Sequence, residues 1–416
     1  MAKNSLDQAA TRLARRIQEL SRVSDERGAT TRTFLSPAML RANALVGGWM
    51  RAAGLSVRVD TVGNLVGRAA GSRRGARTLL LGSHLDTVRD AGRFDGALGV
   101  LLPIAALDLI RRMGVVLPFA VEILGFSEEE GVRFPSAYLG SRGYAGRLRK
   151  RDMALRDSEG ISVGEVLRRH NRGRFAPPAA AHSRRELIGY LEVHIEQGPV
   201  LESRGLAAGV VSAIAGQTRA RVAFRGQAGH AGTTPMGLRR DALAGAAEFL
   251  LAVESLSRKH PPLVATVGRI SARPGVSNVI AGGAELSLDV RHPSDAARRG
   301  ALAGLRKAGR RIARRRGLSF STEVTQDNGA VACSRELTGL LARSVRRHLG
   351  KSVSLTSGAG HDAVILSSLA PVAMLFVRCR GGLSHHPDEF VHPRDIAFAL
   401  RIVTDFLVRL AARSDP

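Results

Sequence analysis

The chain has 416 residues, 44% of them hydrophobic and 24% charged, which excludes a disordered polypeptide and predicts two or three globular domains. Its formal charge of +26 comes almost wholly from arginine, and with only five lysines this skew reads as compositional bias rather than a nucleic-acid-binding device. Cys333 and Cys379 match neither a metal-ligand nor a redox spacing, so a disulfide scaffold is excluded and a reducing, cytoplasmic location is expected. The stretch around 101–110 is broken by Asp108, Arg111 and Arg112, and the N-terminus lacks a signal-peptide core, so no membrane partner is expected.

In chain order, Leu6, Ala10, Leu13, Ile17 and Leu20 recur every three or four residues and predict an amphipathic first helix. Residues 56–60 and 64–67 predict two strands around a glycine-containing turn, and 77–82 a compact apolar strand. A largely buried helix is expected over 96–113, and buried strands over 119–126 and 187–195. From Gln217 the rhythm changes: strand 218–225, helix 238–256, strands 263–271 and 284–291, helix 294–315 and strand 319–325. That is the βαββαβ order of a ferredoxin-like unit. The α/β pattern then resumes with helix 336–348, strand 372–377 and helix 394–410. The expected architecture is α/β: a mixed sheet with helices on both faces, built from 1–215 and 329–416. A separate domain over 216–328 is inserted into it, with hinges near 215–216 and 328–329.

Metal-competent side chains cluster where predicted strands end. His84 and Asp86 follow 77–82, Asp95 lies in GRFDG, Glu129 and Glu130 follow 119–126, His194 closes 187–195, and His385 follows 372–377. Ligands of open α/β sheets bind beyond the carboxyl ends of strands. Three imidazoles and two carboxylates without a thiolate suit Zn²⁺, Mn²⁺ or a related ion, and two ions sharing one carboxylate would use all five donors. Asp86 is within reach of the far nitrogen of His84, where it would fix the tautomer. Neighbouring side chains in an extended segment point opposite ways, so one of Glu129 and Glu130 would bind metal and the other act as general base. His386 and His392 stand close enough in sequence to compete with His385. In the inserted unit, Arg291 and Asn278 together read as a clamp for a substrate carboxylate.

These motifs together resemble a known family. GSHLDTV, GRFDGALGV, FSEEEGVRFP, LEVHIEQGPVLE, GHAGTTPMGLRRDAL and GLSHHPDEF resemble the hydantoinase/carbamoylase-type amidases of the dinuclear metallopeptidase superfamily, from SPAMLRANALVGGWM to the end of the chain. Within them, MLFVRCRGG and SHHP look closest to the allantoate amidohydrolases, while N-carbamoyl-L-amino-acid hydrolases and β-ureidopropionases share most motifs. The resemblance implies a zinc-exopeptidase-like catalytic domain under a lid. It implies two ions, zinc or manganese, with His84, Asp95 and His194 on one and Asp95, Glu130 and His385 on the other. Glu129 would be the general base. Gln197, His230, Asn278 and Arg291 would bind a small ureido-carboxylate, with Gln217 a weaker candidate. A homodimer through the lid domains is also implied, with His230 reaching the partner's site. The chain departs from the family pattern at Ala91, Gly229 and His386. Two rivals differ in kind: a peptidase or aminoacylase of the same superfamily, and a nucleic-acid-binding protein using the arginines of 294–315, which a single Trp and three Tyr do not support.

Overall fold

The structure is a computed structural model that describes residues 3–413; positions 1, 2 and 414–416 of the predicted domains lie outside the described residues. The chain separates into two compact units, Met1–Ser212 with Cys333–Pro416, and Ala213–Ala332. The sequence-based limits 216–328 fall just inside the second.

The first unit is built on a mixed sheet. Four parallel strands form its centre in the spatial order Ala120–Phe126, Thr78–His84, Leu187–Ile195 and Val372–Val377. Antiparallel strands flank them, Leu65–Ala69 and Ser56–Val59 on one side and Ala208–Ile214 on the other. Thr78–His84 and Ala120–Phe126 are buried along their whole length, so both read as continuous runs rather than as alternations. Leu79, Leu81, Val121, Ile123, Leu191, Val193, Ala373 and Leu375 face one way, in a single core with helices Lys3–Ser21, Ala97–Arg112, Arg335–Leu349 and Pro393–Arg413. Alternate positions, among them Tyr190, Glu192 and Met374, face the other way. There the short helix Asp362–Leu366 lies over the sheet, the Ala363 N–H donating to Glu192 Oε2 at 2.9 Å.

The second unit is a four-stranded antiparallel sheet in the order Ser319–Asn328, Gly216–Arg225, Gly283–His292 and Val264–Arg273. Gly216–Arg225 alternates between covered and open positions, as expected of a sheet with one face on its core. Helices Ala242–Lys259 and Asp295–Arg316 fill that face around Val222, Phe224, Phe249, Leu286 and Ile312. The helix predicted over 238–256 starts later, at Ala242. Asp241 caps it, Oδ1 accepting from the N–H groups of Leu243 at 2.9 Å and Ala244 at 3.2 Å, and Met236–Leu238 form a separate 3₁₀ turn. Arg298 leaves the basic face of its helix altogether: it is buried and paired with Asp295, Asp327 and Thr218. Both cysteines are free and buried, and among the described residues no helix is long and apolar enough to cross a membrane.

Candidate metal centre and substrate groups

The parallel strands carry their donors at their carboxyl ends. His84 is the last residue of its strand, His194 the penultimate residue of Leu187–Ile195, and Glu129, Glu130 and His385 stand in the loops that follow their strands. Asp95 lies just ahead of helix Ala97–Arg112 and is the meeting point. Its Oδ1 is 3.2 Å from His194 Nε2 and 3.9 Å from His84 Nε2, while its Oδ2 is 3.1 Å from His385 Nε2. Glu130 Oε1 lies 3.4 Å from the same His385 nitrogen. His84, Asp95 and His194 form one group, and Asp95, Glu130 and His385 another; within each, the donor atoms lie within 4.8 Å of one another. His386 and His392 turn instead to their own loop, accepting from the N–H groups of Asp388 at 3.1 Å and Arg394 at 3.3 Å.

Local sequence explains this convergence. Gly96 has φ 63° and packs on His84, where a Cβ would lie 2.5 Å from the imidazole, so no other residue fits there unstrained. The Nδ1 atoms of His84 and His194 face the main-chain carbonyls of Asp86 at 2.9 Å and Ile195 at 3.0 Å. A ring nitrogen that faces a carbonyl carries the proton, which leaves each Nε2 lone pair for a metal. The expected part of the Asp86 carboxylate in this arrangement is corrected. It stands 3.7 Å from His84 Nδ1 and accepts instead from the N–H groups of Glu129 at 3.0 Å and Glu130 at 3.1 Å. Asp86 thus shapes the glutamate turn, and its main chain, not its side chain, sets the tautomer. Glu128, at φ 52°, points away and accepts from the N–H groups of Phe34, Arg133 and Phe134.

The electrostatics are those of a cation site. Burial pushes Glu129 well above the usual carboxylate range, with Glu130, Asp362 and Asp86 adding to it, and burial likewise pushes Glu130 up to about 7. Burial opposes ionisation of Asp95 too, but hydrogen bonds with His194 and His385 hold it well below its ordinary value. Arg32 is fully buried and donates to the carbonyl of Leu85 at 2.8 Å. So many buried carboxylates call for positive charge, and imidazole and carboxylate donors without thiolate fit a divalent ion, with Asp95 common to both groups.

Gln197, at φ 54°, belongs to this cluster. Its Nε2 is 3.3 Å from both oxygens of Asp95, and its Oε1 is buried with no hydrogen-bond partner among the described residues. The other substrate candidates lie in the second unit, in two places. Gln217 and Arg291 are register partners, and both meet Asp289. Its carboxylate takes Arg291 Nε at 2.9 Å and Nη2 at 3.0 Å, Gln217 Nε2 at 2.7 Å and Arg219 Nε at 3.2 Å. His230 pairs instead with Val279 in a two-stranded ribbon, and the neighbouring Ala231 N–H donates to Asn278 O at 3.0 Å. This ribbon continues past the Arg225–Gly283 end of the sheet, eight residues from the Gln217–Arg291 pair, or about 27 Å at the rise of an antiparallel strand. Within one chain, Arg291 and Asn278 therefore stand towards opposite ends of the sheet, so a clamp made of both would need two chains.

Sequence reasoning missed Glu389, whose carboxylate accepts from the Asp95 main chain, although the acid in HHPDEF was there to read. It also missed His361, whose ring centroid lies 4.5 Å from that of His194.

Comparison with known proteins places the chain among characterised relatives. The model of peptidase family M20/M25/M40 matches residues 80–409. An allantoate deiminase of Glycine max is 41% identical, over 95% of this chain and 88% of the relative. An N-carbamoyl-L-amino acid amidohydrolase of Geobacillus stearothermophilus is 37% identical, over 96% and 98%. Among solved structures, an amidase of the hydantoinase/carbamoylase family from Burkholderia multivorans superposes with TM-score 0.91 at 32% identity, covering 97% of this chain and 98% of that one.

Proposed function

Because this chain belongs to the M20/M25/M40 peptidase family, among its hydantoinase/carbamoylase-type amidases, we propose that it hydrolyses the terminal ureido group of a small carboxylate, with allantoate the first substrate to test. It is an amidohydrolase acting on C–N bonds other than peptide bonds. The observation that carries the reading is the pair of donor groups sharing Asp95, with Glu129 buried beside them. His84, Asp95 and His194 would hold one ion, and Asp95, Glu130 and His385 the other. When bound, two such ions supply a nucleophile at neutral pH and polarise the carbonyl under attack.

The remaining chemistry belongs to the chain. Glu129 takes the proton of the attacking water and returns it to the terminal nitrogen as its C–N bond breaks, so that ammonia leaves and the remaining carbamate R–NH–COOH falls to CO₂ and the amine R–NH₂. Its environment suits that work, since burial and the neighbouring carboxylates raise its affinity for a proton. The buried, unpartnered Oε1 of Gln197 is available to accept from a ureido N–H. Arg291, held flat by Asp289, presents a guanidinium to the substrate carboxylate.

The separation inside the second unit supports a homodimer as the working form. Arg291 and the His230–Asn278 ribbon lie at opposite ends of one sheet, so a single small substrate would meet Arg291 of one chain and the partner subunit's His230, donating to the oxyanion. The two free, buried cysteines are in keeping with a reducing, cytoplasmic setting.

The test is an ammonia-release screen of the zinc- or manganese-loaded chain against allantoate, N-carbamoyl-L-amino acids and N-carbamoyl-β-alanine. Turnover of one of these with none on dipeptides or acetyl-amino acids is expected. Turnover of the dipeptides alone would overturn the reading. Mixing Arg291→Ala and His230→Ala chains, each weakened on its own, should give more activity at low substrate than either alone if one site draws on two chains.

A further inference from the structure

We propose that Glu389 is a positioning residue that fixes Asp95 between the two ions and ties the loop bearing His385 to the loop bearing Asp95; this rests on the metal reading above. Glu389 is 1% exposed and lies four residues after His385. Its Oε1 accepts the main-chain N–H groups of Phe94 at 2.9 Å and of Asp95 at 3.0 Å. Its Oε2 accepts from Ser384 Oγ at 2.9 Å, the residue before His385, and that hydroxyl oxygen is itself 3.3 Å from Asp95 Oδ2. The Asp95 loop is shaped to admit it: at Gly92 a Cβ would lie 2.3 Å from Glu389 Cβ, so any larger residue would displace the carboxylate.

The arrangement explains a requirement of the site that the five donors alone leave open. A carboxylate that serves two ions needs each oxygen aimed at its own group, and the backbone behind it must not rotate. Gly96, at φ 63°, follows Asp95 and by itself leaves that turn loose. Glu389 removes the freedom by holding two successive N–H groups with one oxygen. Its other oxygen fixes the residue beside the second ion's imidazole. A conventional helix-end role, in which the carboxylate merely favours the start of Ala97–Arg112, would act on the stability of the metal-free chain and not on its affinity for ions.

The experiment is a titration of the metal-free, full-length chain with Zn²⁺ or Mn²⁺ against a competing chelator, alongside melting of the metal-free form. Replacing groups that orient metal ligands typically costs roughly 10–100-fold in affinity. We expect that loss for both ions in Glu389→Ala, because Asp95 is shared between them. Glu389→Gln should bind ions close to wild type, since its amide oxygen still accepts both N–H groups and its NH₂ meets Ser384 Oγ. Should Glu389→Ala fail to fold, Glu389→Asp carries the test: it keeps the charge, withdraws the carboxylate, and should also lose affinity with an unchanged circular dichroism spectrum. Wild-type affinity for both ions in folded Glu389→Ala or Glu389→Asp would overturn the proposal while leaving the metal reading intact. A wild-type chain that binds no ion would overturn both.

Discussion

The donor cluster of the first unit and the Arg291–Asp289 pair of the second are built on opposite principles. His84, Asp95 and His194 are 2%, 4% and 2% exposed; main-chain carbonyls orient the two imidazoles, and the buried Glu389 carboxylate accepts from the main-chain N–H of Asp95. Arg291 and Asp289 have side chains 30% and 26% exposed and pair with one another, Gln217 and Arg219 also meeting the Asp289 carboxylate. Buried groups fixed by the backbone cannot relax when a partner is missing, so their unsatisfied charge is a standing demand for cations. Partly exposed groups that satisfy each other make no such demand, and any carboxylate brought to Arg291 would add to, or compete with, a pairing already made. On the proposed reading, the first region would be organised for affinity towards ions and the second for recognition with release.

That contrast can be broken by substitution, starting with the largest effect. Glu129→Gln should lower kcat by roughly 10²–10⁴-fold while metal content stays at the wild-type level, because the amide cannot take the proton; near-normal turnover would remove Glu129 as the base. Glu122 sharpens the comparison inside the first unit, as a buried carboxylate that is fully partnered. Burial alone would raise its pKa, but His182, Tyr144 and Arg68 bring it down to about 2. A depressed carboxyl stabilises the fold above its unfolded value near 4.5, and that contribution disappears as pH falls from 4.5 through 2. Glu122→Gln should thus cost about 3 kcal/mol at pH 7, with the gap to wild type closing at acid pH in denaturant melts.

In the second unit, Arg291→Ala should raise KM roughly 10-fold or more through the lost charged hydrogen bonds, with metal content and melting unchanged. An unchanged KM would remove it from the substrate. Asp289→Asn should have the smallest effect, a rise in KM of a few-fold, because half-exposed ion pairs contribute about 1 kcal/mol or less. A fall in KM would instead mean that Asp289 competes with substrate for Arg291.

The donor set was legible because it depends on residue type and on position relative to apolar runs, both of which are local. RTLLLG before SHLD and LIGYLEV before HIEQG mark strand ends without any knowledge of pairing. What was not legible depended on register and on main-chain atoms. Asn278 and Arg291 sit 13 positions apart in sequence, and only the pairing of Gly216–Arg225 with Gly283–His292 shows that they occupy opposite ends. Asp86 looked like a partner for an imidazole because sequence reveals side chains, whereas the bond is made by its carbonyl. Strand Ala208–Ile214 went unpredicted although it carries Val210, Val211 and Ile214, because the alanines, glycine and serine among them give no clear alternation. Helix Pro37–Ala52 was missed despite Ser36 as its cap and proline at its first turn, because Gly47 and Gly48 interrupt its pattern.

The most direct test counts bound ions by mass spectrometry on the chain as purified, after loading with Zn²⁺ or Mn²⁺, alongside His385→Ala and Asp95→Ala. Two per wild-type chain, one per His385→Ala chain and none held tightly by Asp95→Ala is the expected outcome. A wild-type chain saturating at one ion, or an Asp95→Ala chain that keeps both, would contradict a centre organised around a single shared carboxylate.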